Sequence, residues 1–287
     1  MNEIGGKMTA FIEFLKAFFI GVIQGITEWL PISSTGHMII FDEFVGMNVT
    51  PEFMRMFRVV IQFGSILAVV ILYWKRLFPF SPSLTPEKKK SIWRLWLMIL
   101  IAAVPAGIVG VLFDDVLDKY LYNYITVSAA LIIYGIVFIV IERLHRGKSA
   151  KIDSVNAIDA PTAVKIGLFQ TLSLIPGTSR SGSTIIGAMC VGVSRTAAAE
   201  FSFFLAIPVM LGASLLKIAK YAMESGLSFT ATEIMTLIVG VVTAFFVSLI
   251  SIKFLMNFVR RHSFESFGWY RIALGVIVLV YFFIKNR

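Results

Sequence analysis

Within residues 24–37 the chain gathers an amide, a carboxylate, three successive hydroxyls and an imidazole: Gln24-Gly25-Ile26-Thr27-Glu28-Trp29-Leu30-Pro31-Ile32-Ser33-Ser34-Thr35-Gly36-His37. Gln24 and Glu28 are four apart, so on a helix they share one face. Ser33, Ser34 and Thr35 stand between Glu28 and His37. That order supplies a nucleophile, a general base, and a carboxylate that can orient the base or hold a metal. A second cluster, Pro176-Gly177-Thr178-Ser179-Arg180-Ser181-Gly182-Ser183-Thr184, sets one guanidinium among five hydroxyls and two glycines, just before a short apolar stretch. Arginine forks match phosphate oxygens in pairs, and the amides of a helix N-terminus add donors and positive dipole. The first cluster reads as one that attacks an anion and the second as one that holds it.

The elements carrying these clusters lie in a membrane. Of 287 residues 57% are hydrophobic and 15% charged, with mean hydropathy +0.84; soluble domains carry about 25% charge. Runs 59–73, 95–113, 125–141 and 234–252 contain no Lys, Arg, Asp or Glu, approaching the roughly 20 residues of a membrane-crossing helix. An ionisable group at membrane depth is costly unless paired or hydrated and marks function, which singles out Glu28, His37 and Arg180. Cys190 is the single cysteine, so an intramolecular disulfide and a cysteine metal cage are excluded. Met1–Lys7 carries both signs of charge and does not read as a cleaved signal. The excess of 26 Lys and Arg over 17 Asp and Glu is read as a cytoplasmic-loop bias rather than a nucleic-acid surface.

The chain repeats itself. Ile20-Gly21-Val22-Ile23-Gln24 returns as Ile166-Gly167-Leu168-Phe169-Gln170, Pro31-Ile32-Ser33-Ser34 as Pro176-Gly177-Thr178-Ser179, and Ile39-Ile40 as Ile185-Ile186. Taken through the two prolines, the repeat needs one gap. Both clusters are too broken by Pro, Gly and Ser to cross a membrane, and irregular backbone at depth is tolerated only inside protein or beside a wet cavity. Each is therefore expected as a re-entrant hairpin followed by three spans. The predicted fold is an all-α integral membrane protein with six transmembrane helices plus two re-entrant helical hairpins, forming one membrane domain. Residues 1–150 form the first repeat, with its hairpin at about 11–41 and spans near 59–74, 95–113 and 125–141. Residues 151–287 form the second, with its hairpin at about 163–193 and spans near 201–216, 234–252 and 269–284. Three spans change sides, so the second repeat is inverted. Loops 75–94, 142–165, 194–200 and 253–267 then share one side and hold 15 basic residues. Ten others, Arg271 among them, are assigned to the opposite side, with Arg180 in a hairpin. The richer side reads as cytoplasmic, which puts both termini outside.

Other polar residues have plainer readings. Ser65, Ser128 and Ser248 fit helix packing, His145 and His262 sit in basic loops, and Gln24 is equally suited to hydrogen-bonding its own turn. Asp114, Asp115 and Asp118 read as a solvated outer loop, and Lys88-Lys89-Lys90 as a topology signal.

Together Gln24-x-x-x-Glu28, Pro31-Ile32-Ser33-Ser34-Thr35-Gly36-His37 and Pro176-Gly177-Thr178-Ser179-Arg180-Ser181-Gly182-Ser183-Thr184 resemble the signatures of the bacitracin-resistance family of undecaprenyl-diphosphate phosphatases. Val59-Val60-Ile61-Gln62-Phe63-Gly64 and Glu200-Phe201-Ser202-Phe203-Phe204-Leu205-Ala206-Ile207-Pro208 also look like that family's. The resemblance implies hydrolysis of a polyprenyl diphosphate lipid to its monophosphate in the bacterial plasma membrane; because the first hairpin opens toward the side read as outer, the headgroup is expected from the outer face. It implies a divalent cation, Mg or Ca, with Glu28 and Gln24 as its ligands. By the same resemblance Ser34 is the nucleophile, Ser33 its neighbour, His37 the base or acid, and Arg180 the phosphate clamp. Gly177, Thr178, Ser179, Ser181, Ser183 and Thr184 line the headgroup site. The residues alone leave Ser33, Ser34 and His37 open as the attacking group, and the oligomeric state undetermined. The alternative is a lipid-phosphate or ion transporter, since inverted repeats with broken helices suit one. Phosphohistidine chemistry is disfavoured because no histidine follows Arg180 before His262.

Overall fold

The computed structural model describes residues 2–226 and 229–286; the side chains of residues 2–7, 114, 115, 118 and 225 lie outside that description, and with them the reading of Asp114, Asp115 and Asp118. In chain order the helices are α1 (Asn2–Thr27), α2 (Ser34–Val45), α3 (Pro51–Val60), α4 (Gln62–Leu72), α5 (Trp74–Leu77), α6 (Pro86–Leu121), α7 (Tyr124–His145), α8 (Ala160–Thr171), α9 (Arg180–Cys190), α10 (Arg195–Ser225), α11 (Ala231–Val259) and α12 (Glu265–Lys285). Most begin at a Ser, Thr, Asn or Asp whose side chain accepts from an amide of the first turn, as at Thr50, Thr85, Asn123, Asp159, Ser194 and Thr230. Such caps satisfy donors that the helix cannot.

Seven stretches among the described residues are long and apolar enough to cross a membrane; five expected spans fall inside them, and the sixth, 59–74, runs two residues past the stretch that ends at Leu72. The seventh, 8–27, belongs to α1. The expected short entering arm of the first hairpin is instead one helix of 26 residues, about 39 Å long at ~1.5 Å per residue. No breaker interrupts it, since Gly21 and Gly25 lie flush against α11, where a Cβ would strike Thr243 or Val247. The second hairpin keeps the expected short arms, α8 with 12 residues and α9 with 11.

The packing repeats when the halves are exchanged. α1 lies on α11 as α8 lies on α6; α4 contacts α11 as α10 contacts α6; α7 and α12 pair with each other. That last pair closes to backbone contact because Gly135 and Gly268 face one another, and a Cβ on either would sit 2.7 Å from the other's carbonyl oxygen. Ser65 and Ser248 hydrogen-bond at 2.9 Å between α4 and α11, the packing role expected of them. Large apolar side chains such as Phe11, Leu67, Leu97, Val111, Ile133 and Ile250 point outward, as a lipid-facing surface requires.

Charges collect at the two ends. At one, Arg76 pairs with Glu200, Arg195 with Glu142, and Arg146 with Glu265 at 2.8 Å, joining loops that the charge count puts on one side. At the other, Arg58 pairs with Asp42, Lys285 with Glu43, and Arg55 with Glu52 at 3.1 Å. Between them lies the buried centre, where Trp29, Ile32, Phe138, Ile185, Phe201 and Phe203 pack together around both polar turns.

Candidate active site

Both turns end the same way. Ser33 has φ 73° and caps α2 by accepting from the Gly36 amide; Ser179 has φ 74° and caps α9 by accepting from the Gly182 amide. These are the two non-glycine residues with positive φ among those described. Such backbone costs about 1–3 kcal/mol per residue and gathers at functional sites. The match also corrects the repeat register. Ser33 corresponds to Ser179, Gly36 to Gly182 and Gln24 to Gln170, each 146 residues apart, so no gap is needed. The prolines, 145 apart, are out of step by one.

One buried cation ties the turns together. Arg271 of α12 is fully buried; its Nη1 donates to the Pro31 carbonyl at 3.1 Å, and its Nη2 to the carbonyls of Gly177 and Thr178 at 2.9 Å each. Its guanidinium also lies 5.8 Å from the Tyr134 ring centre. The charge count assigns Arg271 to the less basic side, whereas it is interior; a cation six residues inside an apolar helix is the signal for this. Gly177 permits the second turn at φ 94°, where a Cβ would meet the Val127 carbonyl oxygen at 2.6 Å.

Glu28 and Arg180 meet across the turns, Arg180 Nη2 donating to Glu28 Oε1 at 2.8 Å. Gln24 Nε2 donates to Glu28 Oε2 at 3.0 Å, which confirms the shared helix face. Arg180 Nη1 donates to the Ser202 carbonyl at 2.8 Å, and its guanidinium lies 5.5 Å from the Trp29 ring centre. Its Nε is buried with no partner among the described residues. Ser202 Oγ lies 2.6 Å from Thr184 Oγ1, so the 200–208 motif delivers a side chain to the site although its composition alone gave no role. Ser181 Oγ reaches the Leu30 carbonyl at 3.4 Å and Ser179 Oγ at 3.2 Å, while Ser183 Oγ donates to the Ser179 carbonyl at 3.1 Å. Thr178 Oγ1 is buried without a partner among the described residues.

His37 projects toward α12. Its Nδ1 lies 2.7 Å from the Ser33 carbonyl, and its Nε2 2.7 Å from the Tyr270 hydroxyl. A carbonyl can only accept, so Nδ1 carries the hydrogen, and in the neutral ring Nε2 is a lone pair receiving the tyrosine proton.

Beside this buried network a cavity of about 400 Å³ is lined by Gln24, Ser34, Thr35, Gln62 and Tyr122 with the cations Arg55, Arg58 and Lys217; among the described residues no acidic side chain lines it. Of Ser33, Ser34 and His37, only Ser34 borders it; Ser33 is 1% exposed. Glu28 lies one residue behind it, reached through Gln24, and Arg180 lies behind Glu28. The cations came from parts of the sequence read as ordinary flanks. His145 and His262, expected to be solvated, stand apart from the cavity: His145 bonds the Ile141 carbonyl and His262 stacks on Phe258.

Among the described residues no three of His, Cys, Asp and Glu gather around a common point, and both Glu28 oxygens already accept from Arg180 and Gln24. The donor set therefore fits a divalent ion only as a partner of phosphate oxygens. One carboxylate and one amide oxygen on the protein side suit an ion that keeps waters and binds mainly through its substrate.

The family profile described as bacitracin resistance protein BacA matches residues 17–277. The chain is 56% identical over 274 residues to undecaprenyl-diphosphatase 1 of Clostridium acetobutylicum, covering 95% of this chain and 98% of the relative. It is 53% identical over 271 residues to the undecaprenyl-diphosphatase of Acetivibrio thermocellus (94% and 98%), and 52% identical over 272 residues to that of Enterococcus faecalis (94% and 97%).

Proposed function

The chain belongs to the bacitracin resistance protein BacA family, and we propose that it hydrolyses undecaprenyl diphosphate to undecaprenyl phosphate and inorganic phosphate, with Ser34 as the nucleophile. The activity is that named for its relatives. The observation that carries the residue choice is the cavity that Ser34 and Thr35 line together with three cationic side chains. A diphosphate brings several negative charges and needs such surroundings; a long prenyl chain stays in lipid while the headgroup enters.

Ser34 Oγ attacks the terminal phosphorus, and the bond from that phosphorus to the bridging oxygen breaks, releasing the lipid monophosphate. Water then cleaves the serine phosphate and frees inorganic phosphate. His37, three residues along the same helix, takes the serine proton on Nε2 after parting from Tyr270 and passes it to the departing lipid phosphate; it then takes a proton from the attacking water and gives it to Ser34 Oγ as the serine phosphate breaks. Arg180 sets Glu28, Glu28 sets Gln24, and Gln24 reaches the cavity wall, so the second turn acts on the headgroup through this relay. Ser179, Ser181, Ser183 and Thr184 hold Arg180 and its helix in place, and the idle Thr178 hydroxyl is left to the headgroup side of the turn. A Mg or Ca ion carried on the diphosphate, held by Glu28 and Gln24, would neutralise phosphate charge.

The cavity opens at the end holding Arg55, Lys217 and Tyr122, opposite the loops rich in Lys and Arg. With the inverted repeat and the positive-inside rule, that end is the outer face and both termini lie there.

Purified protein given undecaprenyl diphosphate with Mg or Ca should release phosphate, and chelation should stop it reversibly. Ser34→Ala should lower the rate by about 10³-fold or more. Lipid movement in vesicles without phosphate release would favour transport, and full activity of Ser34→Ala would remove the assigned nucleophile.

A further inference from the structure

Arg58, on α3, is held on two sides. It pairs with the Asp42 carboxylate through Nη2, and its Nη1 donates to the Tyr122 hydroxyl at 3.2 Å. Its Nε is buried and has no partner among the described residues. Nε and Nη2 form the two-donor edge with which arginine grips carboxylate or phosphate side-on. Asp42 uses only one of those donors, so the edge is half satisfied in a place where an idle buried donor is costly. The same side chain borders the cavity that holds Ser34, Thr35, Gln24 and Gln62.

We propose that Arg58 is a headgroup-binding residue whose fork leaves Asp42 to grip diphosphate oxygens, Asp42 serving as the stand-in anion while the cavity is empty. The proposal rests on the diphosphatase reading above and adds to it a named contact and an exchange of partners. A diphosphate offers two phosphate groups whose oxygens match both donors at once, which the carboxylate does not do as bound. The exchange also gives selectivity: the anion must outcompete an adjacent carboxylate, which favours the doubly phosphorylated lipid over its less charged product.

The experiment separates binding from turnover by using Ser34→Ala protein and inorganic pyrophosphate as the probe, followed by calorimetry. On that background Arg58→Gln should weaken pyrophosphate binding by about 10–100-fold, the size of a charge-assisted contact, and Arg58→Lys should recover part of it. Asp42→Asn removes the competitor and should leave binding equal or tighter. With Ser34 restored, Arg58→Gln should raise KM for the lipid diphosphate far more than it lowers kcat. Pyrophosphate binding unaffected by Arg58→Gln would overturn the proposal. So would Asp42→Asn weakening binding as much as Arg58→Gln does, for that is the behaviour of a purely structural ion pair. Melting of each variant in detergent identifies any that are unfolded, and Arg58→Lys, which keeps the charge, then carries the comparison. Failure of the wild type to release phosphate would defeat the diphosphatase reading alone, since pyrophosphate binding is measured without turnover.

Discussion

Removing Arg180 leaves Glu28 with one neutral donor in a site where it is 8% exposed, and this makes the pair a sharp test of the network. Breaking a buried ion pair by deleting one partner costs about 3–5 kcal/mol, because the remaining charge is stranded, whereas removing both together costs much less. Here the stranding is tempered by Gln24 Nε2 at 3.0 Å from Glu28 Oε2, which places Arg180→Ala near the lower end, at ~3 kcal/mol. Arg180→Ala combined with Glu28→Gln should fall short of the sum of the singles by about 1–3 kcal/mol, as expected for groups in one network. For a chain of this size ~1 kcal/mol moves Tm by about 2–4 °C, so the single variant should melt roughly 6–12 °C below wild type. Thermal melting of the four proteins in one detergent and one buffer reads the cycle directly. Phosphate release from the same samples should fall in both singles and stay low in the double, since recovering stability does not restore the relay to Gln24. Additive melting shifts, with each single below about 2 °C, would refute the pairing and with it the claim that the second turn reaches the cavity through Glu28.

Other outcomes follow from the geometry. Ser33→Gly should be milder than Ser33→Ala by about 1 kcal/mol on thermal melting: glycine accepts φ 73° and loses little as a cap, whereas alanine loses the cap and keeps the strain. His37→Ala should reduce phosphate release by about 10²–10⁴-fold and remove the acid limb of the pH–rate profile, because only the neutral ring offers a lone pair at Nε2; an unchanged limb would point to a different base. A reporter fused after Arg287 should be accessible from outside the cell, and cytoplasmic signal there would reverse the proposed orientation.

The fold was legible wherever one physical rule governed a whole segment. Length and the absence of charge located all six expected spans, and Pro, Gly and Ser at depth located both turns. Charges standing against their surroundings singled out Glu28, His37 and Arg180, of which Glu28 and Arg180 meet in the structure, and the i, i+4 spacing correctly joined Gln24 to Glu28. Tertiary choices were not legible. Arg271 is separated from Pro31 by 240 residues, and nothing local says that its guanidinium serves both turns. Arg58 and Lys217 look like ordinary flanking charges until α3 and α10 bring them to Ser34. The length of α1 was underestimated because its glycines read as breaks, whereas they are places where α11 comes close.

The Arg271 clamp bears on how this molecule can move. Many proteins with paired broken helices work by rocking one half against the other, opening a central site to each side of the membrane in turn. Here three hydrogen bonds from one guanidinium, each worth about 1.5–3 kcal/mol when a charged group takes part, would have to break before the first turn could slide past the second. Replacement by water is not available to them, since Arg271 is fully enclosed. The two turns are therefore expected to travel as one rigid body. That leaves the headgroup a single doorway, through which the lipid must leave on the side from which it came.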